Sequence, residues 1–163
     1  MQAFSSVYGM ETVCLRYFNV FGPGQSAVSP YSGVIARFIH KMLAGETPVI
    51  NGDGSTSRDF TFVSDVVQAN LLACKADRFA ADGRAFNVGT GRARTLNELY
   101  AVLALLCSFA IKAEYGPQRS GDIQQSVANI DRIQTELGYR PNTNFALCLD
   151  RTVGWYRDCI QRY

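Results

Sequence analysis

The 163-residue sequence lacks the features that mark several broad classes of protein. It has no run of about 18 consecutive apolar residues, so no membrane-spanning helix is expected. Its first residues show no basic stretch followed by an apolar core, so no secretory signal is expected either. The formal net charge is only +2, which gives no reason to predict binding to nucleic acid or to an anionic membrane. We therefore expect a cytoplasmic protein.

The sequence is also poor in metal ligands. His40 is the single histidine, and no Cys-x-x-Cys pair occurs. The cysteine count is odd and the spacings are wide, which argues against both a zinc site and a disulfide framework. The interpretation that remains is buried thiols in a reducing cytoplasm, at Cys14, Cys74, Cys107, Cys148 and Cys159.

Apolar residues make up 47% of the chain and charged residues 18%, as in ordinary globular proteins. Strand and helix patterns alternate along residues 1–163, which predicts a single α/β domain. Residues 11–20 are nearly continuous in β-forming residues, which is typical of a strand buried on both faces of a parallel sheet. Shorter strands are predicted at residues 49–50, 59–63, 85–88, 111–115 and 125–128.

Helices are predicted between these strands. Residues 33–44 carry apolar side chains on one face and end at Gly45. Ser64 is predicted to cap a helix that runs to about Lys75. Thr95 and Glu98 form a capping box, and Asp131 is predicted to cap a short helix that stops at Gly138. The last helix has a core stripe formed by Phe145, Leu149, Val153, Tyr156 and Ile160.

Four polar clusters carry the candidate chemistry, at residues 16–23, 51–60, 86–91 and 119–122. Asn19 closes a predicted buried strand, where open α/β sheets bind ligands. Arg58 and Arg119 lie on predicted loops and could clamp a diphosphate, while Asp122 could hold sugar hydroxyls. Taken singly, each cluster also has a plainer interpretation: Asn19 as a turn residue, Arg58-Asp59 as a surface ion pair, and residues 89–91 as a strand-to-helix turn.

In this order, the four clusters resemble motifs of the extended short-chain dehydrogenase/reductase group. The resemblance covers essentially the whole chain and is to the NAD-dependent nucleotide-sugar epimerases and dehydratases, nearest to UDP-hexose and UDP-N-acetylhexosamine 4-epimerases. The quoted motifs are Leu-Arg-Tyr-Phe-Asn-Val-Phe-Gly-Pro, Asn-Gly-Asp-Gly with the following Arg-Asp-Phe, Phe-Asn-Val-Gly, and Arg-Ser-Gly-Asp. The fold implied is the C-terminal, substrate-binding part of that fold, without most of its Rossmann domain.

The resemblance implies a role for each matching residue. Asn19 would bind the nucleotide-sugar, and Tyr17 would lie beside the nicotinamide end of NAD. Arg58 and Arg119 would bind the diphosphate, helped by the helix N-terminus near Val34. Asp122 would bind the ribose, and the small Ser126 near the sugar would favour an N-acetylated substrate. Val49 stands where some relatives have an aromatic under the base, and the predicted substrate-binding set is completed by Gln25 and Asn51.

Two motifs of the resembled family are missing from the printed sequence. It contains neither Gly-x-x-Gly-x-x-Gly nor Tyr-x-x-x-Lys, and the segment Met1 to Gly9 resembles the end of the helix that carries the latter. We therefore expect the N-terminal NAD-binding half to be absent, no bound NAD, and no activity of the chain alone. A UDP-sugar is the expected ligand.

Two other interpretations stay open. The chain could be a non-catalytic structural or interaction domain that has kept the motifs. It could also be the C-terminal half of an active nucleotide-sugar dehydratase or decarboxylase, because the residues that separate these from epimerases are not in the sequence. If the N-terminal half is absent, the uncovered residues 13–20 predict a homo-oligomer, most simply a dimer. The alternative is a monomer in which the last helix and the segment Met1 to Gly9 fold back over those strands.

Overall fold

The computed structural model describes residues 2–29, 32–77, 83–142 and 144–161. Met1, the end of the predicted loop at Tyr31, and the side chain of Ile160 lie outside the described residues. The helices are α1 Gln2–Tyr8, α2 Val34–Leu43, α3 Val63–Lys75, α4 Leu96–Leu106, α5 Asp131–Leu137 and α6 Phe145–Gln161. The strands are β1 Val13–Tyr17, β2 Val20–Phe21, β3 Val49–Asn51, β4 Ser57–Arg58, β5 Thr61–Phe62, β6 Arg84–Val88, β7 Arg94–Thr95, β8 Glu114–Gly116 and β9 Gln125–Ser126.

The elements confirm the mixed α/β class and fall into two compact units. The first unit comprises Met1–Val20, Asp59–Arg92 and Val127–Thr143, and the second comprises Phe21–Arg58, Ala93–Ser126 and Asn144–Tyr163. Each unit has its own buried side chains. The single domain predicted from the sequence stays a prediction.

The first unit is built on β1 and β6, which run parallel with Val13 opposite Arg84 and Tyr17 opposite Val88. Phe86 and Val88 point into its core and are fully buried. The strand predicted at residues 85–88 is therefore confirmed. The rest of the core comes from helices α3 and α5 and the segments beside them: Val66, Ala69, Ala128, Ile130, Ile133, Leu137 and Tyr139.

The prediction of one strand over residues 11–20, buried on both faces, is wrong in two respects. The ladder of β1 ends at Tyr17, and the chain bends at Asn19 before β2 begins. None of the five residues of β1 is buried. The reason is that β1 has β6 as its only strand neighbour among the described residues, so one edge and much of one face stay open.

Two predicted helix caps in the first unit are also wrong. Helix α3 begins at Val63, so Ser64 is inside the helix, and Phe62 stands at the N-cap without a side-chain bond. Helix α5 begins at Asp131 itself, and the Asn129 carboxamide oxygen accepts from the Asp131 amide at 3.1 Å. The C-terminal end is as predicted, because Gly138 adopts a left-handed backbone with φ of 69°.

Helices α2, α4 and α6 supply the core of the second unit. The predicted apolar face of α2 is confirmed, with Ile35, Phe38, Ile39 and Met42 buried. The Phe38 and Tyr100 rings meet edge-to-face with centroids 6.1 Å apart. The predicted capping box of α4 is present in full. The stripe of α6 is confirmed at its buried members Leu149, Val153 and Tyr156.

The strands of the second unit are shorter or shifted relative to the prediction. Strand β8 starts at Glu114 and pairs in parallel with β3, whereas Ile111 is exposed and its carbonyl accepts from the Tyr100 hydroxyl at 2.8 Å. Strand β4 ends at Arg58 and pairs antiparallel with β7 and parallel with β9. The strands predicted at residues 59–63 and 125–128 are shorter in the structure, at Thr61–Phe62 and Gln125–Ser126. The Ala128 amide donates to the Asp59 carboxylate at 3.2 Å, so it is bonded to a side chain and not to a neighbouring strand.

Candidate functional site

The predicted substrate-binding arginine at the end of β4 is held in one position. Arg58 donates to Asp122 Oδ1 at 2.6 Å, to the Ile123 carbonyl at 2.6 Å and to the Ser57 carbonyl at 2.8 Å. Its side chain is 17% exposed and that of Asp122 is 35% exposed. A guanidinium has five N–H donors, so Arg58 keeps donors that these three bonds do not use.

Arg119 and Asp122 form the two ends of one tight turn. The Asp122 amide donates to the Arg119 carbonyl at 3.3 Å, and Gly121 takes the left-handed backbone that the turn needs, with φ of 78°. Because Arg58 binds Asp122, this turn is anchored on β4. The predicted residues Arg58, Arg119 and Asp122 are therefore brought together.

Arg119 also lines a cavity of about 180 Å³ in the second unit. The predicted residues Val34, Val49 and Asn51 line the same cavity. Four residues of helix α2, beginning with its first residue Val34, line the cavity, and so do all three residues of β3. The remaining lining comes from Arg37, Phe38, Lys41, Pro48, Ile50 and Leu96.

Two further predicted residues lie beside this group. Ser126 is the register partner of Arg58 in the parallel β4–β9 pair. Gln25 packs against the start of α2, where a Cβ on Gly33 would lie 3.5 Å from Gln25 Nε2. The Tyr156 hydroxyl donates to the Gln25 carbonyl and fixes the loop before α2.

Tyr17 and Asn19 belong to the first unit. Both are exposed, and the Tyr17 hydroxyl donates to Asn70 Oδ1 at 3.0 Å. The Asn19 backbone carbonyl accepts from the Thr61 amide at 3.0 Å. Tyr17 is the one residue predicted to contact NAD, and the printed sequence has no glycine-rich dinucleotide turn. The residues present do not fit a complete dinucleotide site.

Sequence reasoning missed two basic residues of the cavity. Arg37 and Lys41 are four residues apart on α2 and line the cavity together with Arg119. Lys41 is paired only loosely, with its Nζ 3.9 Å from Glu46 Oε2. Their spacing of four residues places both side chains on the polar face of α2, and this pattern could have indicated a basic surface from the sequence. Three cations around one small cavity favour an anionic ligand.

Sequence reasoning also missed the role of Asp59, which is fully buried. Its carboxylate accepts from the Thr90 amide at 2.9 Å, the Thr90 hydroxyl at 2.6 Å, the Gly91 amide at 2.9 Å and the Ala128 amide at 3.2 Å. The alternative of an Arg58-Asp59 surface ion pair is therefore wrong. The residues after β6 form more than a turn, because they supply the donors that hold this carboxylate.

Within the described ranges, no group of three or more His, Cys, Asp or Glu side chains could hold a metal ion. None of the five cysteines, all of which the structure describes, forms a disulfide. Cys148 alone of them is buried, so the prediction of buried thiols is wrong for the other four. Among the helices that the structure describes, none combines the length and the apolar character needed to cross a membrane.

The sequence matches the model of the NAD dependent epimerase/dehydratase family over residues 1–89. It is 34% identical over 161 residues to the UDP-glucose 4-epimerase of Mycolicibacterium smegmatis, covering 99% of this chain and 50% of that protein. The chain spans about half the length of the curated relatives that it matches.

Solved structures with the same fold include two sugar-nucleotide epimerases. The UDP-glucose 4-epimerase of Thermotoga maritima, solved with UDP-glucose, has a TM-score of 0.91 and 36% identity, over 98% of this chain and 50% of that one. The UDP-N-acetylglucosamine 4-epimerase of Methanobrevibacter ruminantium, solved with UDP-N-acetylmuramic acid, has a TM-score of 0.91 and 38% identity. That match covers 97% of this chain and 50% of the other. The predicted relation to extended short-chain dehydrogenases/reductases is thereby confirmed.

Proposed function

Because the chain belongs to the NAD dependent epimerase/dehydratase family, we propose that it binds a UDP-sugar and does not convert it by itself. The observation that best supports this proposal is the Arg58–Asp122 pair, which anchors the turn that carries Arg119. Arg119 in turn lines the basic cavity. This arrangement presents charged donors to a diphosphate and a carboxylate to hydroxyl groups.

The apolar part of the cavity suits the nucleoside end of such a ligand, and its three cations suit the diphosphate. Val34, Val49 and Pro48 provide an apolar surface, while Asn51 offers an amide that can pair with a base edge. Val49 replaces the aromatic that would stack on a base, so the base is held by packing and hydrogen bonds. The first turn of α2, whose first residue Val34 lines the cavity, offers backbone amides that have no acceptor within the helix.

The proposed lack of turnover rests on side chains that the printed sequence does not contain. A sugar hydroxyl needs a positioned base, and the Tyr-x-x-x-Lys pair that supplies it in the resembled family is not present. Losing a general base typically costs about 100- to 10,000-fold in rate. The residues present do not complete a dinucleotide site either, so hydride transfer has no acceptor on this chain.

Calorimetric titration with UDP, UDP-glucose and UDP-N-acetylglucosamine tests the binding half of the proposal. We expect all three to bind and glucose not to bind, because the diphosphate supplies the charged contacts. A coupled assay with added NAD tests the other half, and we expect no turnover. Failure of UDP to bind at millimolar concentration would overturn the site, and turnover that follows the purified chain would overturn the inactivity.

A second candidate function, an interaction domain, is favoured by a different observation. In the first unit, α1 exposes Phe4, Val7 and Tyr8, and β1 exposes Tyr17 beside an open strand edge. Exposed apolar side chains next to unpaired backbone groups favour association. We propose a homodimer through this surface as the first partner to test, and the NAD-binding half of a related protein as the alternative occupant.

A further inference from the structure

A second, larger groove lies in the first unit, and none of the predicted binding residues lines it. Its volume is about 630 Å³, within the usual range for small-molecule sites of roughly 300–1,000 Å³. It is lined by residues 90–92, which follow β6, by residues 127–131, and by Gln134, Arg140 and Pro141. Parallel strands β1 and β6 both end on this side, where open α/β sheets place their ligands.

The groove carries two guanidinium groups. Arg92 and Arg140 both line it, both are exposed, and neither forms an ion pair with another residue in the described part of the chain. Asp131 is the one carboxylate in the lining. Two cations against one carboxylate favour a ligand with an oxyanion, which planar guanidinium groups bind through paired hydrogen bonds.

The same lining offers groups that suit hydroxyls. Gln134 and Asn129 contribute carboxamides and Asp131 a carboxylate acceptor. The Asn129 oxygen already accepts from the Asp131 amide, which leaves its two N–H donors for a ligand. Donors and acceptors of this kind, beside a pair of arginines, match a polyhydroxylated oxyanion better than a bare inorganic anion.

The walls of the groove are fixed by contacts outside its lining. The buried Asp59 carboxylate holds the amides of Thr90, Gly91 and Ala128. On the opposite side, the Arg140 amide donates to Gln68 Oε1 at 3.0 Å. The backbones that carry Arg92 and Arg140 are therefore preorganised, which lowers the entropic cost of binding.

We propose that this Arg92/Arg140 groove binds a small sugar phosphate, with both guanidiniums on the phosphate and the Asn129, Asp131 and Gln134 side chains on the sugar hydroxyls. The groove shares no residue with the Arg119 cavity, since its lining residues all belong to the first unit and those of the cavity to the second.

Calorimetric titration of the whole chain with glucose 1-phosphate tests the proposal, with glucose and inorganic phosphate as the two part-ligands. We expect glucose 1-phosphate to bind, phosphate to bind more weakly, and glucose not to bind. Arg92→Gln and Arg140→Gln should each weaken binding about tenfold or more, the scale of a lost charged hydrogen bond. Arg132→Gln is the matched control, because Arg132 is exposed on α5 but does not line the groove.

Arg119→Gln separates this proposal from the nucleotide-sugar site. It should weaken UDP binding and leave glucose 1-phosphate binding unchanged. Absence of binding, an equal loss in Arg132→Gln, or a loss in Arg119→Gln with none in Arg92→Gln and Arg140→Gln would each overturn the groove site. Thermal unfolding of every variant checks that the fold is retained.

Discussion

Arg58 and Asp122 are 64 residues apart in sequence, yet the guanidinium donates to the carboxylate at 2.6 Å. This contact joins the end of β4 to the turn that carries Arg119, so two arginines and one carboxylate share a single anchored surface. The two arginines differ in burial. Arg58 is mostly covered and has three acceptors, whereas Arg119 is exposed at the rim of the cavity.

That difference predicts separate effects for Arg58→Ala and Arg119→Ala. Each should weaken UDP binding by about 1.5–3 kcal/mol, the range for hydrogen bonds to charged groups. Only Arg58→Ala should also lower the free energy of unfolding, by about 1–3 kcal/mol, because Asp122 and the Ile123 carbonyl lose their donor. Calorimetry and urea unfolding measure the two effects.

Arg151→Ala serves as the control for this pair, since Arg151 is exposed on α6 and is not among the cavity residues. Unchanged UDP affinity in both Arg58→Ala and Arg119→Ala would place the ligand elsewhere.

The buried Asp59 carboxylate predicts a large stability effect. Asp59→Asn keeps the shape but turns an NH₂ group toward donors that need an acceptor, so some of the hydrogen bonds from its four donor groups are lost. We expect the free energy of unfolding to fall by about 2–4 kcal/mol. Asp150→Asn, at an exposed position on α6, should change it by less than about 0.5 kcal/mol. Equal stability of the two variants in urea would contradict this role for Asp59.

Gly89 is required by close approach. A Cβ at this position would lie 2.5 Å from the Ala128 Cβ and 2.7 Å from Asp59 Oδ2. Gly89→Ala should therefore lower the free energy of unfolding by about 1–3 kcal/mol, the cost of overpacking. Gly154→Ala is the opposite case, since Gly154 lies within α6 and a Cβ there meets nothing within 4 Å. Gly154→Ala should raise the free energy of unfolding by about 0.5–1 kcal/mol. If thermal unfolding showed Gly89→Ala to be more stable than Gly154→Ala, Gly89 would not be required by close packing.

Asp65 predicts a dependence of stability on pH. Burial raises the pKa of its carboxyl above the ordinary 3.8, against the opposing hydrogen bond from the Asn142 amide. One carboxylate oxygen, Oδ2, is buried and has no hydrogen-bond partner among the residues that the structure describes. Because the folded state binds this proton more tightly than the unfolded state, Asp65 lowers stability as pH rises from 3.8 through its raised pKa.

The quantity to measure is the difference in the free energy of unfolding between Asp65→Asn and the wild type. Urea unfolding at pH values from about 3 to about 7 gives this difference over the range in which carboxyl groups ordinarily titrate. The difference should move in favour of Asp65→Asn as pH rises and level off above the raised pKa. A difference that is flat, or that moves the other way, would show that the Asp65 pKa is not raised.

Sequence patterns predicted the elements whose signals are local. The capping box at Thr95 and Glu98, the apolar face of α2 and the left-handed Gly138 depend on neighbours within one or two helical turns, and each is confirmed. The errors at Ser64 and Asp131 have one cause. In both helices an apolar residue without a side-chain cap bond, Phe62 or Ile130, stands at the N-cap, so the preference of a polar residue for that position misplaced the helix start.

The candidate site divides in the same way. Arg58, Arg119 and Asp122 were found because they fall in short polar motifs. Asp59 was missed because its four donors lie 31 to 69 residues away and include three backbone amides, which no residue pattern records. Arg92 and Arg140 were missed because each is an isolated arginine whose relation to the other exists only in the folded chain.

The exposed apolar face of α1 predicts self-association. Phe4, Val7 and Tyr8 share one face of the helix by their spacing of three and four residues, and Val7 and Tyr8 are 71% and 72% exposed. A dimer that buries this face should cover at least about 1,000 Å² in total.

Val7→Glu places a charge in that contact and should shift the chain to an 18.0 kDa monomer in sedimentation equilibrium at micromolar concentration. Leu105→Glu is the matched control, because Leu105 is 82% exposed in the second unit, and this variant should stay dimeric. A wild-type monomer under the same conditions, or a loss of association in Leu105→Glu alone, would assign the α1 face no role in assembly.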